Sequence, residues 1–447
     1  MVELGKVIVT HNPSLSITIL ILTPSTTTFA YDSNAEYIAT VTATTPAITF
    51  HRVPHAPLPF DTPSLPPHLT SLELTRHSVQ NVAVALQTLA KVTNLKAIVM
   101  DFLNFNDPHF LTKNLDKTVP FYFYYTSGVS TLSVLLHLQT VIETITKNLT
   151  HDHQQPLDFH IPGLFTISMD DFSMDSTDYS TQHFPQIAEA MRGSAGIIVN
   201  TYEAIEEEPL RALGEDGTIP PLFCVGPLIS SPYGKDDNGC LSWLDSQPSQ
   251  SVVFLSFGSM GCFSRGQLKE IAVGLEKSEQ RFLWVVRTVL GGSDSEEQPS
   301  LEELMPEGFL ERTKEKGLVV RNWAPQMRIL SHDSVAGFVT HCGWNSVLEA
   351  VCEGVPMVAW PLFAEQRMNR VVMVREMKVA LAVKMEKDGF VSGTELGDRV
   401  RELMESDNGK EIRQRVFKTK ISAAEAMGEG GTSRVALDKL ANLWKQS

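Results

Sequence analysis

Apolar residues recur along this chain in two rhythms, and the rhythms alternate. Continuous apolar runs of five to eight residues, the pattern of a strand buried on both faces, occur at 16–23 (SITILILT), 96–101 (KAIVMD), 120–125 (PFYFYY) and 196–201 (GIIVNT). The same pattern returns at 252–257, 281–287, 317–322, 337–340, 357–360 and 379–383, and 47–53 is a further candidate. Between the runs, apolar positions fall at helical spacing. Helices are expected at 1–9, 71–93, 128–147, 203–213 and 267–277, with three more closing the chain, the last at 432–445. Residues 54–67 read as a Pro-rich surface loop, 151–190 as polar loops over a cleft, and 291–300 as an acidic Gly/Ser-rich loop.

Strands alternating with helices in both halves predict an α/β protein with two doubly wound parallel-sheet domains facing across a cleft. The expected boundaries are an N-terminal domain at 1–220, a Pro-rich linker at 221–250, a second domain at 251–430 and a final helical segment at 431–447 that is expected to return to the first domain. A length of 447 residues supports two cores rather than one. In such folds ligands sit beyond the carboxyl ends of the strands. Asp101, Gly258-Ser259, Trp323 and His341 all fall at such ends.

Composition narrows the function classes. The formal net charge is −15, with no basic stripe, so nucleic acid is not an expected partner. Five scattered cysteines contain no C-x-x-C, which speaks against a disulfide framework or a structural zinc. The early apolar run is too short to span a bilayer and follows no basic segment. A cytoplasmic monomer with no obligate membrane partner is the expectation. No G-x-G-x-x-G is present, which counts against a nicotinamide-dependent oxidoreductase.

The chemistry concentrates at 323–366. His341-Cys342-Gly343-Trp344-Asn345-Ser346 stands where a strand becomes a helix, a place where a glycine and free amides can cradle a diphosphate; an ordinary capped helix is the alternative. Trp323 can stack on a base or be a half-buried core residue. Glu349 shares a helical face with Asn345 and Ser346, so it can accept from ribose hydroxyls or be a solvated charge. Glu365 and Gln366 can bind sugar hydroxyls or serve only the helix dipole. His341 and Cys342 are adjacent, which is poor metal-ligand spacing, so no metal site is expected.

This stretch resembles the donor-binding box of plant family 1 UDP-sugar glycosyltransferases: W-A-P-Q at 323–326, H-C-G-W-N-S at 341–346 and E-Q at 365–366, in order and at full length. The resemblance extends to Phe257-Gly258-Ser259, Gly226-Pro227-Leu228 and Ile161-Pro162-Gly163-Leu164. Its flavour is that of the flavonoid and isoflavone 7-O-glucosyltransferases. It implies a GT-B fold and inverting transfer of glucose from UDP-glucose, a cosubstrate, to a phenolic hydroxyl, with no cofactor. Trp323 would then stack on uracil, with Ala324 and Gln326 on its edge, and Glu349 would hold the ribose. Ser259, His341, Asn345 and Ser346 would hold the diphosphate; Trp344, Glu365 and Gln366 the sugar. Phe102, Phe105 and Tyr122 are expected to shape the acceptor pocket. Asp101 matches an aspartate that orients a base histidine, which the resemblance places in a Gly-rich turn after a first strand. The chain starts inside the following helix, and His11, near that helix's far end, is no substitute. An N-terminally truncated product, a misplaced start codon or an incomplete gene model is therefore expected, with lowered stability and activity for the chain as it stands. The competing expectation is a catalytically impaired UDP-sugar-binding protein.

Overall fold

The computed structural model describes all residues except 24–34, 59–66, 104–107, 114, 116–117, 150–157, 169–170, 172–178, 230–235, 237 and 288–298. The chain divides into two compact units. Unit 1 comprises 1–166, 174–228 and 426–447; unit 2 comprises 167–173 and 229–425.

Unit 1 contains helix α1 (Val2–His11) and strands β1 (Ile17–Thr23), β2 (Ile48–Pro54), β3 (Ile98–Asp101), β4 (Phe121–Tyr125), β5 (Ile197–Val199) and β6 (Leu222–Cys224). β3-β4-β5-β6 form one parallel sheet, and β1 pairs with β2 in a second parallel sheet. Unit 2 contains β7 (Val252–Ser256), β8 (Arg281–Val286), β9 (Gly317–Arg321), β10 (Val335–Thr340), β11 (Met357–Ala359) and β12 (Ala380–Ala382). They form a single sheet in the order β9-β8-β7-β10-β11-β12, with all pairs parallel. That is the doubly wound Rossmann order, with the sheet's first strand in the middle. Its topological switch point, the preferred ligand position, lies between β7 and β10.

Burial follows position. Every residue of the central strands β7 and β10 is buried. β1 was expected to be buried on both faces, yet none of its residues is: Thr18 is exposed and the other six are only partly covered. One edge of this apolar strand pairs with β2, and no described residue pairs with the other.

Four further expectations need correction. The segment 128–147 is two helices, α2 (Val129–Leu136) and Leu138–Leu149. They part at His137, whose amide and ring Nδ1 both donate to the Ser133 carbonyl. The pattern at 71–93 also divides, into Pro67–His77 and Val79–Val92. Within 151–190, expected to be irregular, Tyr179–Arg192 is helical despite Pro185. The proline removes one intrahelical donor, and burial of Ile187, Ala188 and Met191 offsets that cost. Finally, β6 lies inside the expected linker but is the edge strand of the unit 1 sheet, and the division between units falls at 228/229.

The closing helix α5 (Thr432–Gln446) belongs to unit 1. Its Leu437, Leu440 and Trp444 pack with Tyr122, Tyr124, Ile198 and Phe223. Ser433 Oγ donates to the Gly226 carbonyl at 2.6 Å.

Glu206 holds the start of α2. Its buried carboxylate accepts from the amides of Val129 and Ser130, each at 2.8 Å, and from Thr201 Oγ1 at 2.6 Å. A carboxylate at a helix N-terminus satisfies donors that the helix itself cannot. Glu206→Ala leaves three buried donors unpaired and should lower unfolding stability by about 3 kcal/mol. Urea denaturation checks this, and a loss below about 1 kcal/mol would show that water replaces the carboxylate.

Candidate donor-binding site

The switch point of unit 2 is built by two strand ends. β7 and β10 are paired, with Ser256 opposite Thr340. Beyond β7 the chain turns at Gly258, whose φ is +75°. Beyond β10 it passes through His341 and Cys342 and enters α3 (Trp344–Glu353). Cys342 has a φ of +65°, a conformation disfavoured for a residue with a Cβ. The Cys342 carbonyl accepts from Asn369 Nδ2 at 2.9 Å, and Asn369, on α4 (Gln366–Val371), is fully buried. Asn369 is therefore a structural clamp on the loop before α3.

His341 fills the space between the two turns. It is 9% exposed. A methyl group built on Gly258 would sit 2.7 Å from its Nε2, and one on Gly343 would sit 2.4 Å away. Both glycines are thus required by close approach to the imidazole, although Gly343 itself has an ordinary φ of −62°. Nδ1 of His341 has no partner among the described residues. Burial pushes the imidazole pKa down to about 4, so the ring is neutral at physiological pH. Whatever His341 gives an anion, it gives as a hydrogen-bond donor and not as a positive charge.

At the start of α3, Gly343 is the N-cap residue and no side chain caps the helix. Ser346 is buried in the first turn, and Asn345 beside it is exposed. Gln326 Nε2 donates to Ser346 Oγ at 3.0 Å and to Glu349 Oε2 at 2.6 Å, which joins three of the residues singled out in the sequence. Burial raises the Glu349 carboxyl pKa, and the bond from Gln326 works against that rise. Trp323 is 41% exposed. Its carbonyl accepts from Asn238 Nδ2 at 2.8 Å, and its amide donates to the Arg321 carbonyl at 2.7 Å. A large apolar ring on a pinned backbone is suited to stacking. Ala324 is buried, so its contribution to a ligand is confined to backbone.

The remaining residues are placed less simply. The Trp344 side chain is 2% exposed, so this residue too can meet a ligand only through its backbone. Glu365 is the exposed N-cap residue of α4. Gln366 is buried, and its Oε1 accepts from the amides of Leu362 and Phe363 at 2.9 and 3.0 Å, which leaves its NH₂ as the end with donors to offer. Ser259 is exposed, and its carbonyl accepts from Arg287 Nη1 at 2.8 Å.

Asp101, Phe102 and Tyr122 belong to unit 1. Asp101 ends β3, and its Oδ1 accepts from the Leu103 amide at 3.0 Å. Burial raises its pKa. Among the described residues no histidine hydrogen-bonds to it. Phe102 packs against Tyr125, with ring centroids 4.7 Å apart. Phe105 lies outside the described residues. Tyr122 is withdrawn from the acceptor pocket: it is buried between Phe223 and Trp444 and is part of the core.

Comparison with known proteins supplies the family. The family model described as "UDP-glucoronosyl and UDP-glucosyl transferase" matches residues 220–415. UDP-glycosyltransferase 2 of Pueraria montana var. lobata is 76% identical over 456 residues, covering all of this chain and 96% of the relative. Isoflavone 7-O-glucosyltransferase 1 of Glycine max is 74% identical over 458 residues, with the same coverage of each chain. The solved structure of Phytolacca americana UGT2 complexed with UDP-2fluoro-glucose and pterostilbene superposes with a TM-score of 0.85 at 34% identity, covering 99% of this chain and 96% of that one. Identity of this order along the whole chain, on a shared GT-B fold, shows that the protein belongs to the plant family 1 UDP-glycosyltransferases, enzymes that transfer a sugar from a UDP-sugar donor.

Proposed function

We propose that this chain transfers glucose from UDP-glucose to a phenolic hydroxyl of a flavonoid or isoflavone-like acceptor, with inversion at the anomeric carbon. The observation that carries the donor half is the Gln326–Ser346–Glu349 cluster at the start of α3. Trp323 stacks on the uracil, and Glu349 accepts from the ribose hydroxyls. The diphosphate lies at the α3 N-terminus against Ser259, His341, Asn345 and Ser346. Donors fixed in place before the reaction stabilise the charge that develops on departing UDP. Glu365, Gln366 and the Trp344 backbone hold the sugar. The similarity to an isoflavone 7-O-glucosyltransferase supports the acceptor class. Asp101 orients the group that takes the phenolic proton, and Phe102 borders the acceptor.

A second reading is that the chain is a catalytically impaired UDP-sugar-binding protein, which holds the donor without transferring it. The observation that favours it is Asp101, which bonds to a backbone amide and to no described histidine. Mass spectrometry of products from UDP-glucose and a flavonoid panel separates the two readings. The first expects one added hexose, with the opposite anomeric configuration to the donor. UDP binding without product would establish the second, and absence of UDP binding would overturn both.

Trp323→Ala should weaken UDP binding roughly 10- to 100-fold, the value of one base stacked on an aromatic ring. The fold should persist, because Trp323 lies at the surface outside the buried core. Calorimetric titration with UDP measures the effect; a change below threefold would remove Trp323 from the uracil site.

A further inference from the structure

A diphosphate is anionic, yet the residues placed around it above carry no positive charge. Ser259, Asn345, Ser346 and Gln366 offer dipoles, and burial keeps His341 neutral. The chain as a whole has a formal net charge of −15, which opposes the approach of an anion. A cation held at the site would offset both effects, and the order of the strands shows where one stands.

All pairs in the unit 2 sheet are parallel, so its strands end on one side in the order β9, β8, β7, β10. Trp323 follows β9, Ser259 follows β7 and His341 follows β10. β8 therefore stands between the strand that leads to the stacking tryptophan and the strand that leads to the diphosphate turn. The residue that follows β8 is Arg287. Neighbouring strands lie about 4.8 Å apart, so β8 is one such spacing from each. Arg287 is fixed from both sides. The Asn322 amide donates to the Val286 carbonyl at 2.9 Å, which continues the β8–β9 pairing up to the residue before Trp323. On the other side, Arg287 Nη1 donates to the Ser259 carbonyl at 2.8 Å.

The charge of Arg287 is not cancelled locally. The side chain is half-buried, and among the described residues no carboxylate pairs with it. Arg321, the cation that ends β9, is directed elsewhere: its Nη2 donates to the Pro299 carbonyl. A guanidinium carries five N–H donors in a planar fork, and the Ser259 carbonyl takes one. That bond orients the fork and leaves the other donors to offer. Planar forks of this kind suit phosphate oxygens.

We infer that Arg287 is a further donor-binding residue, which contacts the diphosphate of UDP-glucose on the side away from α3 and supplies the positive charge that the rest of the site lacks. The inference rests on the donor-site reading above. The same side chain ties the Ser259 turn to β8, so the turn and the charge are held together.

Calorimetric titration of the full chain with UDP tests this, beside thermal melts. Arg287→Gln should fold, because the side chain is only partly covered. It should bind UDP roughly 10- to 100-fold more weakly, the range for a hydrogen bond to a charged group. Arg287→Lys keeps the charge without the fork, and should bind UDP more tightly than the glutamine variant and more weakly than the parent. Raising KCl from about 50 to 300 mM should weaken the parent more steeply than Arg287→Gln, because the variant has lost a screened charge pair. A glutamine variant within threefold of the parent would overturn the inference. So would a lysine variant no tighter than the glutamine one. Parallel salt curves for parent and glutamine variant would also overturn it, by leaving Arg287 only the task of holding the Ser259 turn. A parent that does not bind UDP at all would instead overturn the donor-site reading itself, and this inference with it.

Discussion

A Gly343→Ala chain should fold and yet lose about 100-fold in kcat/KM for UDP-glucose. The added methyl would lie 2.4 Å from His341 Nε2, about 1 Å inside ordinary contact. The imidazole cannot simply retreat. Gly258 closes on the same nitrogen, and the residue is nearly inaccessible. The strain must instead move the loop that sets the start of α3, where Cys342 already holds a φ of +65° and depends on the Asn369 amide. A misplacement of about 1 Å in a site of fixed donors costs roughly two orders of magnitude. The φ of Gly343 is ordinary, so alanine adds no backbone strain of its own and the effect reports on space alone. Steady-state kinetics with UDP-glucose, beside a thermal melt, checks the prediction. A kcat/KM within threefold of the parent would mean that the loop and the diphosphate are not coupled.

Much of this site was legible before the structure, because its residues are consecutive in the chain and their types are chemically specific. What was not legible depends on partners distant in sequence. Asn238, Arg287 and Asn369 are unremarkable polar residues until the fold places their amide and guanidinium groups against the carbonyls of Trp323, Ser259 and Cys342. The spacing from Gln366 to Asn369 was the one available hint, since it puts both in the same helix. Tyr122 shows the reverse error. An aromatic run invites a pocket, but strand side chains alternate between faces, and Tyr122 and Tyr124 both pack into the core cluster that contains Trp444. The apolar run of β1 correctly indicated a strand. Its burial was misjudged because burial belongs to the neighbours, and on one side β1 has none among the described residues. The helix Tyr179–Arg192 was missed for a related reason: its sequence is polar and contains a proline, and only tertiary packing of Ile187, Ala188 and Met191 selects it.

His341 should make this protein acid-sensitive, and the sign follows from its burial. Its folded-state pKa is lowered from 6.5 to about 4 by desolvation. The unfolded chain therefore binds a proton that the folded chain refuses. The stability held by the neutral ring is fully present above about pH 6.5 and is lost as the pH falls toward 4. By pH 4.5 the loss amounts to about 2.5 kcal/mol. Glu349 and Asp101 shift in the opposite sense, since burial raises both carboxyl pKa values and their protonation on acidification favours the folded state. Comparison with His341→Gln cancels those contributions. Glutamine is polar and does not titrate, so the parent should lose about 2.5 kcal/mol relative to the variant between pH 7 and pH 4.5 in urea denaturation. Parallel curves across that interval would show that the imidazole is already protonated, or hydrated, in the folded protein. The same neutrality bears on donor binding. Between pH 8 and pH 6 the parent's affinity for UDP should gain nothing from His341, because the ring has no charge to gain there. A rise in affinity through pH 6.5 that disappears in His341→Gln would instead make the histidine a cationic partner of the diphosphate, and would require the folded ring to be far more open to water than its 9% exposure allows.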